Sequence, residues 1–353
     1  MPNPNNILVI RLSSLGDVLM SVPAVIAIRK IYPDARISWL VEGSVTRFLS
    51  YQDFIDDVIE FPRHAIVRAI KKSDPIRAIK EIKAFLNRLH EVKYDIIADF
   101  HGIIKSAIFS MLARGDRKIG FGKVYAKEKS HLFYNETVSG SDGRMHKVEK
   151  NMLIARYLGA DGEIPEVRFT VPAEVETYID TFFSEARISA PVFAVNPFSS
   201  SGSAYKRWDI KQYGALIKKI RDEIGAHVLI LWGPGEKKEA EHLKQIAGNG
   251  VSLSCKTDVL QLFALLKKVG MYIGGDTGVM HLAVFADTPV VAIFGPTDVK
   301  INAPYGQGNI VVRKDLPCSP CKNKDCRDRK CVEAITVEDV FEAVAKMNKS
   351  VHG

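Results

Sequence analysis

The chain has 353 residues, 46% of them hydrophobic and 25% charged, and a formal net charge of +8 at pH 7. That length and apolar share suffice for roughly two domains with sizeable cores. The basic balance admits nucleic acid, anionic membrane or acidic small-molecule partners without choosing among them, and no run of about 18 uncharged apolar residues marks a transmembrane helix. The first six residues lack a basic stretch, and the apolar run after them is too short for a signal sequence, so the expected location is cytoplasmic.

Apolar runs at 7–10, 37–41, 58–61 and 96–98 predict strands, with helices between them at 18–32 and 75–89. In the second of these helices Ile76, Ile79, Ile82, Phe85, Leu86 and Leu89 recur every three or four residues, the spacing of one buried stripe. Pro75 suits a first helical turn, with Ser73 or Asp74 before it as the cap. A helix at 173–186 leads into a second series, with strands at 193–195, 227–231, 271–273 and 290–294 and helices at 210–224, 236–246 and 259–268. A last helix at 337–348 closes the chain. Such alternation predicts an α/β protein of two doubly wound halves facing across a cleft, each a parallel sheet with helices on both faces.

In open α/β sheets ligands bind beyond the carboxyl ends of the strands, and polar residues gather there in this chain. After the first strand comes Ser13-Ser14-Leu15-Gly16-Asp17. Asp17 either caps the helix that follows or faces the cleft and takes a proton. After 271–273 comes Gly274-Gly275-Asp276-Thr277-Gly278-Val279-Met280-His281. Its glycines let a ligand approach the backbone, the helix start is an anion site, and Asp276 or Thr277 can cap it. His281 falls one turn into that helix, where it either faces the same pocket or is a buried core histidine. Leu229–Leu231 runs into Trp232-Gly233-Pro234-Gly235-Glu236, where Glu236 holds ribose hydroxyls or caps a helix. After 193–195 a hydroxyl-rich loop, with Ser199 and Ser200, ends in Lys206 and Arg207. Lys206 suits a diphosphate as a point charge. Together these strand ends describe a nucleoside-diphosphate pocket. Neither G-x-G-x-x-G after the first strand nor G-x-x-x-x-G-K-[ST] occurs, which disfavours a nicotinamide enzyme or a P-loop ATPase.

Four of the five cysteines, Cys318, Cys321, Cys326 and Cys331, lie within 14 residues in the spacing C-x2-C-x4-C-x4-C. This is not a pair of separated C-x2-C knuckles, so the expectation is a reduced, metal-free loop, with zinc or iron–sulfur ligation as the alternative. Cys255 stands alone, as a small buried residue does.

The segments R-L-S-S-L-G-D-V-L-M-S-V-P-A, Y-D-I-I-A-D-F-H-G-I-I-K-S-A and G-G-D-T-G-V-M-H-L-A…F-G-P-T-D together resemble family 9 glycosyltransferases, the bacterial lipopolysaccharide heptosyltransferases. P-I-R-A-I-K-E-I-K-A-F and A-K-E-K-S-H-L-F-Y-N resemble the first heptosyltransferase more than the second. The resemblance implies a GT-B fold of two Rossmann-like domains: residues 1–170 for the acceptor and 171–353 for the nucleotide sugar. It implies transfer of heptose from ADP-L-glycero-D-manno-heptose to Kdo of lipid A. By position, Asp17 matches the proposed general base and Lys206 the diphosphate lysine. Asp276, Thr277, Gly278 and His281 match the donor motif, and Glu236 the nucleoside-side acid. Ser199 and Ser200 replace threonines in a loop that is longer here, and Thr257 is counted with the donor contacts. Ser14, Gly16, Arg63, His64, Arg68 and Lys105 are the acceptor-side candidates. No cofactor is obligatory; a divalent cation is allowed but not implied.

One base and no nucleophilic partner predict a single displacement with inversion. The segment 63–93 holds nine Lys/Arg against three Asp/Glu, a surface for acidic sugars and anionic headgroups at the inner membrane face, or simply solvated helix faces. The expected partners are therefore the donor, the acceptor lipid and a membrane surface, and not nucleic acid. Transfer to a first heptose, a nucleotide-sugar epimerase and a metal-dependent binding protein are the alternatives.

Overall fold

The computed structural model describes residues 3–140, 143–189, 191–321 and 323–352, without the side chains of residues 201, 351 and 352. The chain divides into two compact units, Met1–Thr170 and Val171–Gly353.

The first unit runs β1 (Asn6–Ile10), α1 (Leu15–Leu19), α2 (Val22–Ile31), β2 (Arg36–Val41), α3 (Thr46–Leu49), β3 (Asp57–Glu60), α4 (Arg63–Lys71), α5 (Pro75–His90), β4 (Tyr94–Asp99), α6 (Ile104–Leu112), β5 (Gly115–Phe121), β6 (Glu136–Val138) and α7 (Lys147–Tyr157). Its sheet is parallel in the order β3-β2-β1-β4-β5-β6. The order reverses between β1 and β4, where Ile10 pairs with Asp99. That switch point opens a crevice beyond the two strand ends. Consecutive residues Ile7, Leu8, Val9 and Ile10 are all buried, as a parallel strand covered on both faces requires.

The second unit begins with α8 (Ala173–Glu185) and runs β7 (Val192–Asn196), α9 (Ile210–Ile224), β8 (His227–Ile230), α10 (Lys237–Ala247), β9 (Val251–Leu253), α11 (Val259–Leu266), β10 (Met271–Gly275), α12 (Gly278–Phe285), β11 (Val290–Ile293), α13 (Val299–Asn302), β12 (Ile310–Val312), α14 (Lys330–Glu333) and α15 (Val337–His352). Its parallel sheet has the order β12-β11-β10-β7-β8-β9, and so repeats the plan with the switch point between β7 and β10. Its core joins Phe193, Val195 and Ile273 to Leu216 and Ile220 of α9 and Val344 of α15.

Two expectations are corrected. The helix expected at 18–32 is broken at Met20–Ser21, and Pro23 sits in the first turn of α2. In an unbroken helix the Pro23 ring would collide with the preceding turn and remove an N–H from the ladder. Ser21 instead turns its hydroxyl onto the Val18 carbonyl at 2.7 Å. The apolar stripe of α5 is not buried as a whole. Ala78, Phe85 and Leu89 face the core, while Ile76, Ile79 and Ile82 are exposed. Periodicity reports that a helix is amphipathic, not how much of its apolar band a neighbour covers.

Candidate functional site

In the first unit, Asp17 is the third residue of α1, and its carboxylate is ringed by side chains. Ser14 Oγ donates to Oδ2 at 3.2 Å, Arg11 Nη2 lies 3.0 Å from Oδ2, and Lys147 Nζ lies 2.7 Å from Oδ1. Ser14, at the cap position, makes no side-chain cap. Arg11 is buried and fixed from two sides. Its Nη1 donates to the Phe100 carbonyl at 2.6 Å, and its own carbonyl accepts from Trp39 Nε1. One turn along α7 from Lys147, Lys150 lays its ammonium over the Phe121 ring at 4.3 Å. Burial, with the Arg11 charge added, pushes Lys150 down to about 7.

The other side of the crevice is built by the end of β4. Asp99 is fully buried and accepts from Tyr134 Oη at 2.7 Å and from the His101 N–H at 2.7 Å. Burial raises its carboxyl above the ordinary range. Burial and then Arg11 push His101 down to about 3, so its ring is neutral at pH 7. A cavity of about 480 Å³ is lined by Ser13, Phe61, Arg63, Ile66, Val67, His101, Ile103 and Lys105. Glu42, its side chain largely covered, pairs with Lys105 and, at 3.9 Å, with Arg63, and this fixes two cations at one rim. His64 and Arg68 are exposed on α4 and do not line this cavity. Gly16 is buried in α1.

In the second unit, the loop after β7 ends in a short 3-10 turn, Ser201–Lys206. Lys206 Nζ donates to Asp276 Oδ2 at 2.9 Å, and both side chains are largely buried. Asp276 follows β10, and Thr277 then stands at the cap position of α12 without a side-chain cap bond. Thr277 Oγ1 instead meets Asn196 Nδ2 at 3.4 Å and Tyr272 Oη at 3.5 Å, so β7 and β10 are tied together where the strand order reverses. Gly278 opens α12. His281, within α12, is only 4% exposed.

A second set of bonds runs alongside. Ser199 Oγ accepts from Arg207 Nε at 3.1 Å and donates to the Ser203 carbonyl, and Ser200 Oγ donates to Ser203 Oγ. Both hydroxyls therefore stiffen their own loop. Arg207 lies 3.7 Å from Glu236, whose other oxygen accepts from the Gly233 N–H at 2.8 Å. Burial raises the Glu236 carboxyl, opposed by that N–H and by Arg207. Thr257 is half-buried just before Asp258, which caps α11.

The five cysteines are free thiols. Among the described residues no three His, Cys, Asp or Glu side chains come together as a metal-ligand set. Burial first, then the nearby Cys321, Cys318 and Cys326, pushes the Cys331 thiol up. The loop they share is docked: Cys321 N–H donates to the Pro296 carbonyl at 2.8 Å, and Arg329 donates to the Arg207 carbonyl. It braces the loop after β7.

Sequence reasoning left Arg11, Lys147, Lys150, His101 and Asn196 without a role. Arg11 stood inside the first motif. Lys147 and Lys150 sit three apart on a helix that no strong apolar pattern announces, and only the fold brings them to Asp17.

The family model described as glycosyltransferase family 9 (heptosyltransferase) matches residues 82–332. The chain is 28% identical over 314 residues to lipopolysaccharide heptosyltransferase 1 of Escherichia coli, across 87% of this chain and 93% of that one. It is 25% identical over 313 residues to lipopolysaccharide core heptosyltransferase OpsX of Haemophilus influenzae, across 88% and 84%. In fold it resembles E. coli heptosyltransferase WaaC with ADP (TM-score 0.75, 24% identity, 97% and 99% covered) and E. coli ADP-heptose heptosyltransferase II (TM-score 0.75, 19% identity, 99% and 100% covered). The two reversed parallel sheets are thus a GT-B fold, and the chain belongs to glycosyltransferase family 9, the heptosyltransferases.

Proposed function

We propose that this enzyme transfers heptose from ADP-L-glycero-D-manno-heptose to Kdo of lipid A, with inversion at the anomeric carbon, in building the inner core of lipopolysaccharide. One observation carries the reading: the second unit holds a lysine, Lys206, against Asp276 at the start of α12. That is the arrangement a departing diphosphate needs.

The acceptor hydroxyl gives its proton to Asp17 as its oxygen attacks the anomeric carbon. The bond from that carbon to the ADP oxygen breaks, and the electron pair leaves with the diphosphate. Lys206 and the N–H groups opening α12 meet the growing negative charge. Asp276 orients Lys206 beforehand, so little reorganisation accompanies the reaction. Glu236 and Thr257 bound the nucleoside side, Ser199 and Ser200 hold the loop, and His281 packs α12 beneath the diphosphate. On the acceptor side Arg11 and Lys147 hold the Asp17 carboxylate in place. Arg63 and Lys105 at the cavity rim meet the acceptor's carboxylates, and Ser14 holds Asp17. The enzyme works in the cytoplasm, peripheral to the inner face of the inner membrane.

Mass analysis of the product from ADP-heptose and Kdo2-lipid A tests this directly. Addition of one heptose to the acceptor is expected. Donor turnover that needs no acceptor would point to an epimerase or hydrolase, and transfer only to an acceptor already carrying heptose would point to the second heptosyltransferase step.

A further inference from the structure

Among the described residues, nine of the fourteen exposed large hydrophobic side chains lie on α4, α5 and α6, and only Tyr178 lies in the second unit. Val67 and Ile70 on α4, Ile76 and Ile79 on α5, and Ile108 and Met111 on α6 are each 38–80% exposed. The three helices form one surface. α4 leads directly into α5, Phe85 of α5 stacks on Phe109 of α6 at 5.4 Å, and His90 reaches the Leu112 carbonyl at 2.9 Å. A water-facing protein leaves large aliphatic side chains scattered singly, not gathered on adjoining helices.

The charge around these side chains selects their partner. Segment 63–93 holds nine Lys/Arg against three Asp/Glu. Lys71, Lys80 and Lys83 are exposed among the isoleucines, on the same helices. A protein partner with an apolar groove would ask for the aliphatic side chains alone, and a polyanion for the cations alone. Apolar side chains flanked by lysines, whose stems reach along apolar surface while the ammonium stays in water, fit the boundary between acyl chains and anionic headgroups.

We infer that α4, α5 and α6 form a docking face for an anionic lipid bilayer, with Ile70, Ile76 and Ile79 entering the acyl boundary and the surrounding lysines on the headgroups. The face is continuous with the acceptor cavity, because Val67 belongs to both. A lipid anchored in the bilayer would thus present its sugar at the rim that Arg63 and Lys105 define. The inference deepens the proposed function by naming the surface, and it rests on that reading only for the identity of the lipid.

Cosedimentation with vesicles tests it, using phosphatidylethanolamine with phosphatidylglycerol against phosphatidylcholine alone. The wild type is expected to bind the anionic vesicles and to release as salt rises from about 0.1 M to about 0.5 M. The double variants Ile76→Ser/Ile79→Ser and Lys80→Gln/Lys83→Gln should each bind about tenfold more weakly or worse. Their thermal melts, and their transfer to a deacylated, water-dispersed acceptor, should match the wild type. Equal binding by wild type and both variants, or no preference for anionic lipid, overturns the proposal. So does a dimer in light scattering that Ile76→Ser/Ile79→Ser dissociates, since the face would then be an interface between copies. Vesicle binding needs no donor, so failure here and failure of heptose transfer are read separately.

Discussion

The role proposed for Lys206 rests on one contact, the 2.9 Å bond to Asp276. In that reading, negative charge on the diphosphate grows toward the transition state, so the lysine acts more strongly there than on the bound donor. Lys206→Ala should lower kcat by about 10²-fold, the scale of losing one charge-stabilising donor, while Asp276→Ala should have a milder effect because the lysine survives without its guide. Steady-state kinetics in ADP-heptose decide this. A rise in KM with kcat unchanged would make Lys206 a ground-state contact only. Lys150 makes a different kind of statement. Its folded-state value, about 7, is below the 10.5 of the free side chain, so between these values the unfolded chain binds the extra proton. Stability therefore rises as pH rises from about 7 to about 10.5, and the penalty of holding a half-buried ammonium is fully present below 7. Lys150→Met should raise the melting temperature relative to wild type at pH 6, and the gain should shrink toward pH 10. A gain that is flat across that range would contradict the assignment of a half-buried, charge-crowded lysine.

At the scale of elements, strands with unbroken apolar runs between helical patterns were legible, because a sheet covered on both faces demands such runs. β5, β6, β9 and β12 were not. β6, β9 and β12 are three-residue edge strands that pair on one side only, so Glu136-Thr137-Val138 needs no continuous apolar character, and β5 opens on Gly115-Asp116-Arg117-Lys118, which carries no apolar run. The switch-point motifs were legible for the same reason that the fold works: glycine is required where backbones crowd. A Cβ on Gly274 would stand 2.5 Å from Tyr272 Oη and 2.9 Å from the Asn196 carbonyl. Gly274→Ala must therefore push β7 and β10 apart. It should cost about 1–3 kcal/mol in denaturant unfolding, and it should weaken donor binding by displacing the Asn196–Thr277 contact. An alanine variant as stable as wild type would show that the junction yields more easily than its packing implies.

Across the whole molecule one plan is used twice, and the two switch points are fitted out oppositely. The first holds a carboxylate, Asp17, among Arg11 and Lys147; the second holds a lysine, Lys206, against Asp276 just before a helix start. Both key residues could be found from the strand–loop–helix pattern, since each lies just beyond a strand end. Asp276 was legible in the same way, but the pairings were not, because Lys147 is 130 positions from Asp17 and Lys206 is 70 from Asp276, and only the fold brings them together. The division of labour between the units is the central claim, and Asp17→Asn tests it most directly. The change keeps shape and removes the base. Transfer by this variant and its affinity for ADP-heptose should be measured side by side. Transfer should fall by about 10²–10⁴ with donor affinity unchanged; transfer within about threefold of wild type, or a matching loss of donor binding, would contradict the assignment of the base to the first unit.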